Sequence, residues 1–415
     1  MKKRTLTLLT AACLLVPTLL ADDSPLAVAL TAHRLTLRLD EGKLSGPGAD
    51  FLVAEGKDSQ FFLIGEDHGG VESPRFAAAM YGALQPAGYR HVAVEAGPIT
   101  GERLEGLATA DAIGRFSVAH PFALPFFNWR EEAEYLAAVV KSKPSGVKRA
   151  VWGIDQEFVL SPSFHLERLA ALAKTAKAKE AVAAMTARNL AGDKAMTEEH
   201  NPTTVLLMKA TPADFDALAA AFPDNAEAAR IVRELRESAA IYQMYATGRQ
   251  YDNNLTRSNL MKRNFRTFYD EAVAAGEKQP RVLLKFGMSH MLRGRSFVNV
   301  HDVGTMLPEL AAMNGTRAFS VLVVYRQGAV NEFTPFSTDP NARAAAYDPV
   351  SSRNLFFDPK PLFDAADASE WTLFDFRALR PLMGKKLPMD EALARMVWGF
   401  DAMVVVPVVH PATLF

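Results

Sequence analysis

Cysteine is all but absent: Cys13 is the only one in 415 residues. It lies within a leader-like segment, so a processed chain would hold no disulfide, no thiolate nucleophile and no thiolate metal ligand. Cysteine catalysis and zinc fingers are thereby excluded. An excess of one charge is missing too. Lys and Arg number 46 against 47 Asp and Glu, a formal net charge of −1. That balance gives no electrostatic case for nucleic acid or for an anionic membrane surface. No stretch after Leu20 is apolar over the ~20 residues that a bilayer span needs. The HExxH, GxSxG, GxxxxGK and GxGxxG patterns do not occur, which argues against zincin peptidases, the common serine hydrolases and nucleotide-binding enzymes.

What is present begins with an export signal. Lys2, Lys3 and Arg4 precede an apolar run from Leu6 to Leu20, and Ala21, Asp22 and Asp23 follow. Charged, apolar and polar zones in that order read as a secretory signal over residues 1–22. They place the protein in the periplasm or outside the cell, with no membrane attachment after cleavage. The chain as a whole is 49% hydrophobic and 22% charged, an ordinary globular composition. It is long enough for one large domain or two, with a core that needs no disulfides.

Apolar runs of four to eight residues closed by Gly or an ionisable group read as buried strands. Phe61 to Ile64 stops in Gly65, Glu66, Asp67 and His68. HVAVE ends in Glu95, RAVWGID in Asp155, and RVLLKFGMSH just before His290. Phe76, Met80 and Leu84 predict a helix from about Pro74 to Gly88, so the first two strands form a βαβ unit with a parallel pair. Leu35 to Leu39 alternates, as an edge strand or part of a leading helix would. Gly97 to Pro125 reads as irregular, and Asn128 as the cap of a helix running to about Ser142. Alanine dominates from Ser163 to Glu277, which predicts four or five packed helices and an amphipathic return helix from Arg257 to Val273. Ala318 to Tyr325 is a fifth strand, and FDF and GFDAMVVVPVV close the sheet. The expected fold is α/β: a mainly parallel central sheet flanked by helices. Its first part covers residues 23–162 and its second 278–415, with the alanine-rich insertion and return helix at 163–277.

Ligands of open α/β sheets bind at the carboxyl ends of the strands. Glu66, His68, Glu95 and His290 therefore form a candidate site along one sheet edge. Glu66 and His68 sit in a turn freed by Gly65, Gly69 and Gly70. A carboxylate beside an imidazole can orient it and raise its basicity toward water, or both can ligate a metal; a plain surface turn is the bland alternative. For Glu95 the structural alternative is an ion pair with Arg75. Arg293 and Arg295, beside His290, could bind an anion or stabilise an oxyanion. His33, His91, His165, His200, His301 and His410 have no paired ligand at helical or hairpin spacing and read as structural.

Taken in order, these strand ends resemble the erythromycin-esterase-like family, which is more distantly related to the haem-binding lipoprotein ChaN and the Tiki/TraB proteins. GEDHGG is similar to the family's GE-x-x-HG motif after the first core strand, VAVEAG to its next glutamate, and WGID to its GFD-like strand end. RSNLMKRN, with Arg257, Met261 and Asn264, resembles an R-D-x-x-M-x-x-N helix, and KFGMSHMLRG resembles the histidine loop. LFDFRAL and FDAMVVVP look like the closing strands. The likeness runs from about Phe61 to Pro407 and breaks mainly in the insertion.

The resemblance implies a hydrolase without a cofactor that acts on a small molecule. His68 would be general base toward a water attacking an ester carbonyl, Glu66 and Glu95 would orient it, and His290 would be a second base or stabilise the transition state. Arg75, Arg257 and Arg293 would face the substrate, and the insertion would cover the sheet edge and set specificity. Two departures stand out. Glu66 and His68 are two residues apart where the esterases have three, and Gly287 stands where the first of two loop histidines would be. GMSH instead resembles the Gly-x-x-His of the Tiki/TraB branch. That leaves open a metal-dependent hydrolase or peptidase with Glu66, His68, Glu95 and His290 as ligands of a divalent metal ion. A ChaN-like periplasmic protein binding haem or a similar ligand is the third reading.

Overall fold

The computed structural model describes residues 24–415 except 121–122, 125, 200, 333–343, 348–354 and 385. The leader, Cys13 and His200 lie outside the described residues.

Helix α1 (Pro25–Ala32) leads into strand β1 (Arg34–Asp40), which turns through Glu41 and Gly42 into β2 (Lys43–Ser45). The alternating segment is thus a strand, and the edge position belongs to β2. Helix α2 (Pro47–Lys57), β3 (Phe61–Glu66), α3 (Glu72–Leu84) and β4 (Tyr89–Val94) follow. A short 3-10 turn closes α3 at Gly88, whose φ of +97° suits glycine alone.

The segment after β4 is not irregular. It holds α4 (Pro98–Leu107) and α5 (Ala110–Ala119). Pro98 at the first helical position starts one, and the Thr109 side chain, accepting from the Ala112 N–H, caps the other. Helix α6 (Arg130–Lys141) is entered at Trp129 with no side-chain cap, so Asn128 does not play that part. Glu131 in its first turn complements the positive helix end instead.

Strand β5 (Val151–Gly153) precedes the insertion: α7 (Pro162–Leu172), α8 (Ala176–Glu199), α9 (Leu206–Lys209), α10 (Pro212–Ala219) and α11 (Ala226–Ala246). The return helix α12 (Gln250–Ala274) begins earlier than Arg257. Then come β6 (Arg281–Gly287), the short α13 (Met288–Met291), α14 (Val303–Met313) and β7 (Ala318–Tyr325). A small ribbon of β8 (Ala329–Asn331) and β9 (Ala344–Ala346) is followed by α15 (Lys360–Ala365), β10 (Trp371–Asp375), α16 (Glu391–Gly399) and β11 (Ala402–Val406).

Nine strands make one sheet in the order β2-β1-β10-β11-β7-β3-β6-β4-β5. From β11 to β5 every pairing is parallel, while β10, β1 and β2 are joined antiparallel. Alternate residues divide the core between the two faces. Phe62, Ile64, Val92, Val94 and Leu283 pack with Leu52 of α2, Met80 of α3 and Leu136 of α6, and this cluster continues into the insertion through Phe164 and Leu235. Phe61, Leu63, Leu284 and Phe286 pack on the other face with Phe265 of α12 and Leu307 of α14. Covered on both faces, the central strands read as unbroken apolar runs. Among the described residues, no helix is long and apolar enough to cross a membrane.

Helix α4 lies directly against β5, and glycines permit the approach. A Cβ on Gly153 would stand 2.1 Å from the Gly97 carbonyl oxygen, and one on Gly101 would stand 2.6 Å from the Gly153 nitrogen. Gly153→Ala should therefore lower stability by about 1–3 kcal/mol, the usual cost of overpacking. Denaturant unfolding of the purified variant would check this.

Candidate active site

Because β3, β6, β4 and β5 are parallel neighbours, their carboxyl ends open at one sheet edge. Glu66 is the last residue of β3, and Lys285, two residues before the end of β6, is paired with Ile64 and Val94. The turn carrying His68 is held from beneath. The Gly69 carbonyl accepts from the N–H groups of Asn331 and Ala412, and the Tyr325 hydroxyl donates to the Asp67 carbonyl. Gly69 has φ +94°, and a Cβ there would lie 2.2 Å from the Asn331 oxygen. The glycine is thus required both by conformation and by space.

The four side chains converge. His68 Nδ1 lies 2.8 Å from Glu66 Oε1, and its Nε2 lies 3.5 Å from Glu95 Oε2. His290 mirrors this arrangement: Nδ1 is 2.8 Å from Asp302 Oδ2, and Nε2 is 3.4 Å from Glu95 Oε1. Two carboxylate–imidazole dyads thus aim their outer nitrogens at one glutamate. Glu95 is fixed by stronger bonds, accepting from the Gly287 N–H at 2.8 Å and from Arg257 Nη2 at 2.9 Å. Arg257 is in turn held by Asp155, its Nε donating to Oδ1 at 2.9 Å.

Gly287 lies close against these side chains. A Cβ at this position would come within 3.0 Å of His68 Nε2 and 3.5 Å of Glu95 Oε2. A side chain there would require His68 to give way by a few tenths of an ångström.

Behind Glu66 lies a buried cation. Lys285 Nζ donates to Glu66 Oε1 and to Glu132 Oε1, each at 2.5 Å, with all three side chains nearly inaccessible. On the outer side the Phe126 ring stacks on His68, centroids 3.9 Å apart and planes 15° from parallel. Phe126 has φ +58°, a left-handed conformation that costs a non-glycine residue roughly 1–2 kcal/mol. Backbone strain of this kind is held where surrounding packing fixes it, commonly at functional sites.

Electrostatics follow from this packing. Burial opposes charge on His68, but its bonds to Glu66 and Glu95 outweigh that and raise it to about 10. For His290, burial and Arg257 oppose the charged ring, while Glu95 and Asp302 raise it to about 9. Burial also works against ionised Glu95 and Glu66. His290 and His68 nonetheless hold Glu95 well below the usual range, and Lys285 with His68 lowers Glu66. Glu132 goes the other way: burial and the neighbouring Glu66 push it up to about 7 despite Lys285.

The arginines divide. Arg257 belongs to the cluster. Arg75 does not: it is exposed on α3 and makes no ion pair among the described residues, and Glu95 takes Arg257 as its partner instead. Arg293 reaches Asp401 at 3.3 Å rather than the imidazoles. Of the other histidines, His91 is pinned between the Arg149 carbonyl and Glu277, and His165 is buried against Glu157.

Lys285, Glu132, Asp302 and Phe126 were not singled out from the sequence. Lys285 carried a signal, since a lysine inside VLLKF is out of place in a buried strand. Asp302 is the N-cap of α14, and nothing in its spacing ties it to His290.

Both histidines bond a carboxylate through Nδ1 and leave Nε2 toward Glu95, while Glu66 and Glu95 also accept from Lys285 and Arg257. Among the described residues, no group of three His, Cys, Asp or Glu is arranged to hold a metal ion.

Comparison with known proteins bears on the architecture. No protein-family model and no curated protein matches the chain. Among solved structures, a mutant of the erythromycin esterase EreC in its open conformation matches with TM-score 0.60 and 16% identity, over 92% of this chain and 99% of that one. The fold is erythromycin-esterase-like. A succinoglycan biosynthesis protein matches with TM-score 0.58 and 13% identity over 95% and 99% of the two chains. A Bacillus cereus protein matches with TM-score 0.57 and 15% identity over 94% and 98%.

Lys285→Met would leave Glu66 and Glu132 buried without their cation, and breaking a buried pair costs about 3–5 kcal/mol. Glu132 keeps its proton in the fold up to about pH 7, above its ordinary 4.5, so its uncompensated charge enters only as pH rises through that window. The loss of stability should therefore be larger at pH 8 than at pH 5, as read by denaturant unfolding at both.

Proposed function

We propose that the protein is an exported hydrolase that cleaves an ester or a related bond in a small molecule. The observation that carries this reading is the convergence of the two imidazole Nε2 atoms, 3.5 and 3.4 Å from Glu95, with each ring oriented by its own carboxylate. The likeness of the fold to EreC supports an ester as the bond class, and the charged-apolar-polar leader supports export.

His68 acts as general base. Glu66 binds its Nδ1–H and fixes the tautomer, which leaves the Nε2 lone pair to take a proton from a water held beside Glu95. The water oxygen forms a bond to the carbonyl carbon, the carbon–alkoxide bond breaks, and the proton taken by His68 balances the one gained by the leaving alcohol. His290, protonated and oriented by Asp302, stabilises the developing oxyanion and supplies the leaving group's proton. Glu95 keeps both rings in place and stabilises their charged forms. Arg257 holds Glu95 and is a positioning residue rather than a substrate clamp.

The raised values of the two histidines set the pH dependence. The base must be neutral and the acid charged; with His68 at about 10 and His290 at about 9, the fraction holding both forms grows with pH up to the lower value and shrinks above the higher. The rate should peak between these limits, and His290→Ala should remove the alkaline fall along with most of the rate. His68→Ala should lower kcat by about 10²–10⁴-fold, the range of general-base help, while circular dichroism shows the fold retained. Wild-type turnover by this variant would refute the assignment. Exhaustive dialysis against a chelator should leave the rate unchanged; its loss, with recovery on adding Zn²⁺ or Mn²⁺, would establish the metal-dependent alternative.

A further inference from the structure

Joined to the imidazole pair through Arg257 is a cleft of about 670 Å³, bounded by helices α8, α11 and α12 and by residues 297–299. This volume is within the range of small-molecule sites. Met196, Met208, Tyr242, Tyr251 and Phe297 supply apolar lining, and Arg257 lines it as well. Since Arg257 is also bonded to Glu95, the cleft and the dyads share a side chain. Tyr251 is 58% exposed, an aromatic face left open on the solvent side of α12.

The charge pattern decides what fits. Among the described residues lining the cleft, Arg257 alone is charged, and its guanidinium is already taken by Asp155 and Glu95. The remaining polar lining groups are tyrosine hydroxyls and carboxamides. Such a surface offers no counter-ion, so a charged ligand would lose its hydration without compensation, whereas an apolar one gains by leaving water. The cavity of about 250 Å³ at the opposite strand ends, around His91 and Trp152, is lined by Lys148, Arg149 and Glu271 paired among themselves. It shares no lining residue with the dyads or with Glu95.

We infer that this cleft binds the part of the substrate remote from the scissile bond, and that this part is an uncharged alkyl or aryl group. The substrate class is then neutral esters with a sizeable apolar portion. This rests on the hydrolase reading for its chemistry, but the binding claim can be tested apart from it.

The first test compares purified enzyme on p-nitrophenyl acetate, p-nitrophenyl octanoate and the p-nitrophenyl monoester of succinate. Each buried methylene gives about a fourfold gain, so burial of the methylenes that octanoate adds to acetate should raise kcat/KM by roughly 10³–10⁴-fold, mainly through KM, and the anionic succinate ester should be poorest. The second test uses the His68→Ala protein and the neutral dye Nile red, whose bound fluorescence p-nitrophenyl octanoate should displace. Tyr251→Glu in that background should weaken dye binding tenfold or more, and Tyr251→Phe should preserve it. A flat chain-length series, or dye binding indifferent to Tyr251→Glu, would overturn the inference even if His68-dependent acetate hydrolysis stands. Dye and octanoate binding through Tyr251 without His68-dependent hydrolysis would instead sustain the cleft and sink the proposed reaction.

Discussion

A carboxylate buried just past the end of β4 is the constraint on which the rest of the site depends. Glu95 could not remain charged there unaided, since taking an ion out of water costs several kcal/mol even after relaxation. It is compensated by the Gly287 N–H, by Arg257 and by two imidazoles that approach without closing to full hydrogen bonds. The short bonds fix the glutamate, and the long ones leave the histidines able to act on something between them. Remove the glutamate, and both rings lose one of the charges that raise their values and the point at which their outer nitrogens are aimed.

The same balancing runs outward in layers. Glu66 is matched by Lys285, Lys285 also by Glu132, Arg257 by Asp155, and His290 by Asp302. Each pair joins different elements: β3 to β6, β6 to α6, α12 to the end of β5, and α13 to α14. Helices on both sheet faces are thereby tied to one charged cluster. Such networks are high-stakes, since one missing partner leaves an unpaired charge in a medium that screens it poorly. Phe126 contributes differently, its strained backbone laying an aromatic face on His68 that limits where the ring can go.

Much of the architecture was legible because burial on both faces leaves a strong mark. Parallel strands appear as short apolar runs, and the glycines and ionisable groups that end them show where the chain leaves the core. Alanine-rich periodicity likewise gave the insertion. The misreadings came where signals overlap. Scattered Gly and Pro hid α4 and α5, although Pro98 and Thr109 are good helix starts. Asn128 looked like a cap, but tertiary contacts of the C-terminal segment, such as the Arg130 N–H donating to the Thr413 carbonyl, set that helix entry instead.

By itself, then, the sequence determined the strand ends, and with them that Glu66, His68, Glu95 and His290 stand near one sheet edge. Only the tertiary structure decided who pairs with whom. Ion-pair partners such as Lys285 with Glu132, or Arg257 with Asp155, are far apart along the chain and meet only through strand order and helix packing, which leave no local periodicity. It also moved Arg75 and Arg293 away from the cluster and placed Gly287 in close approach to His68. Local sequence records which residues are buried because the hydrophobic effect acts residue by residue; electrostatic partnership is a property of the folded whole.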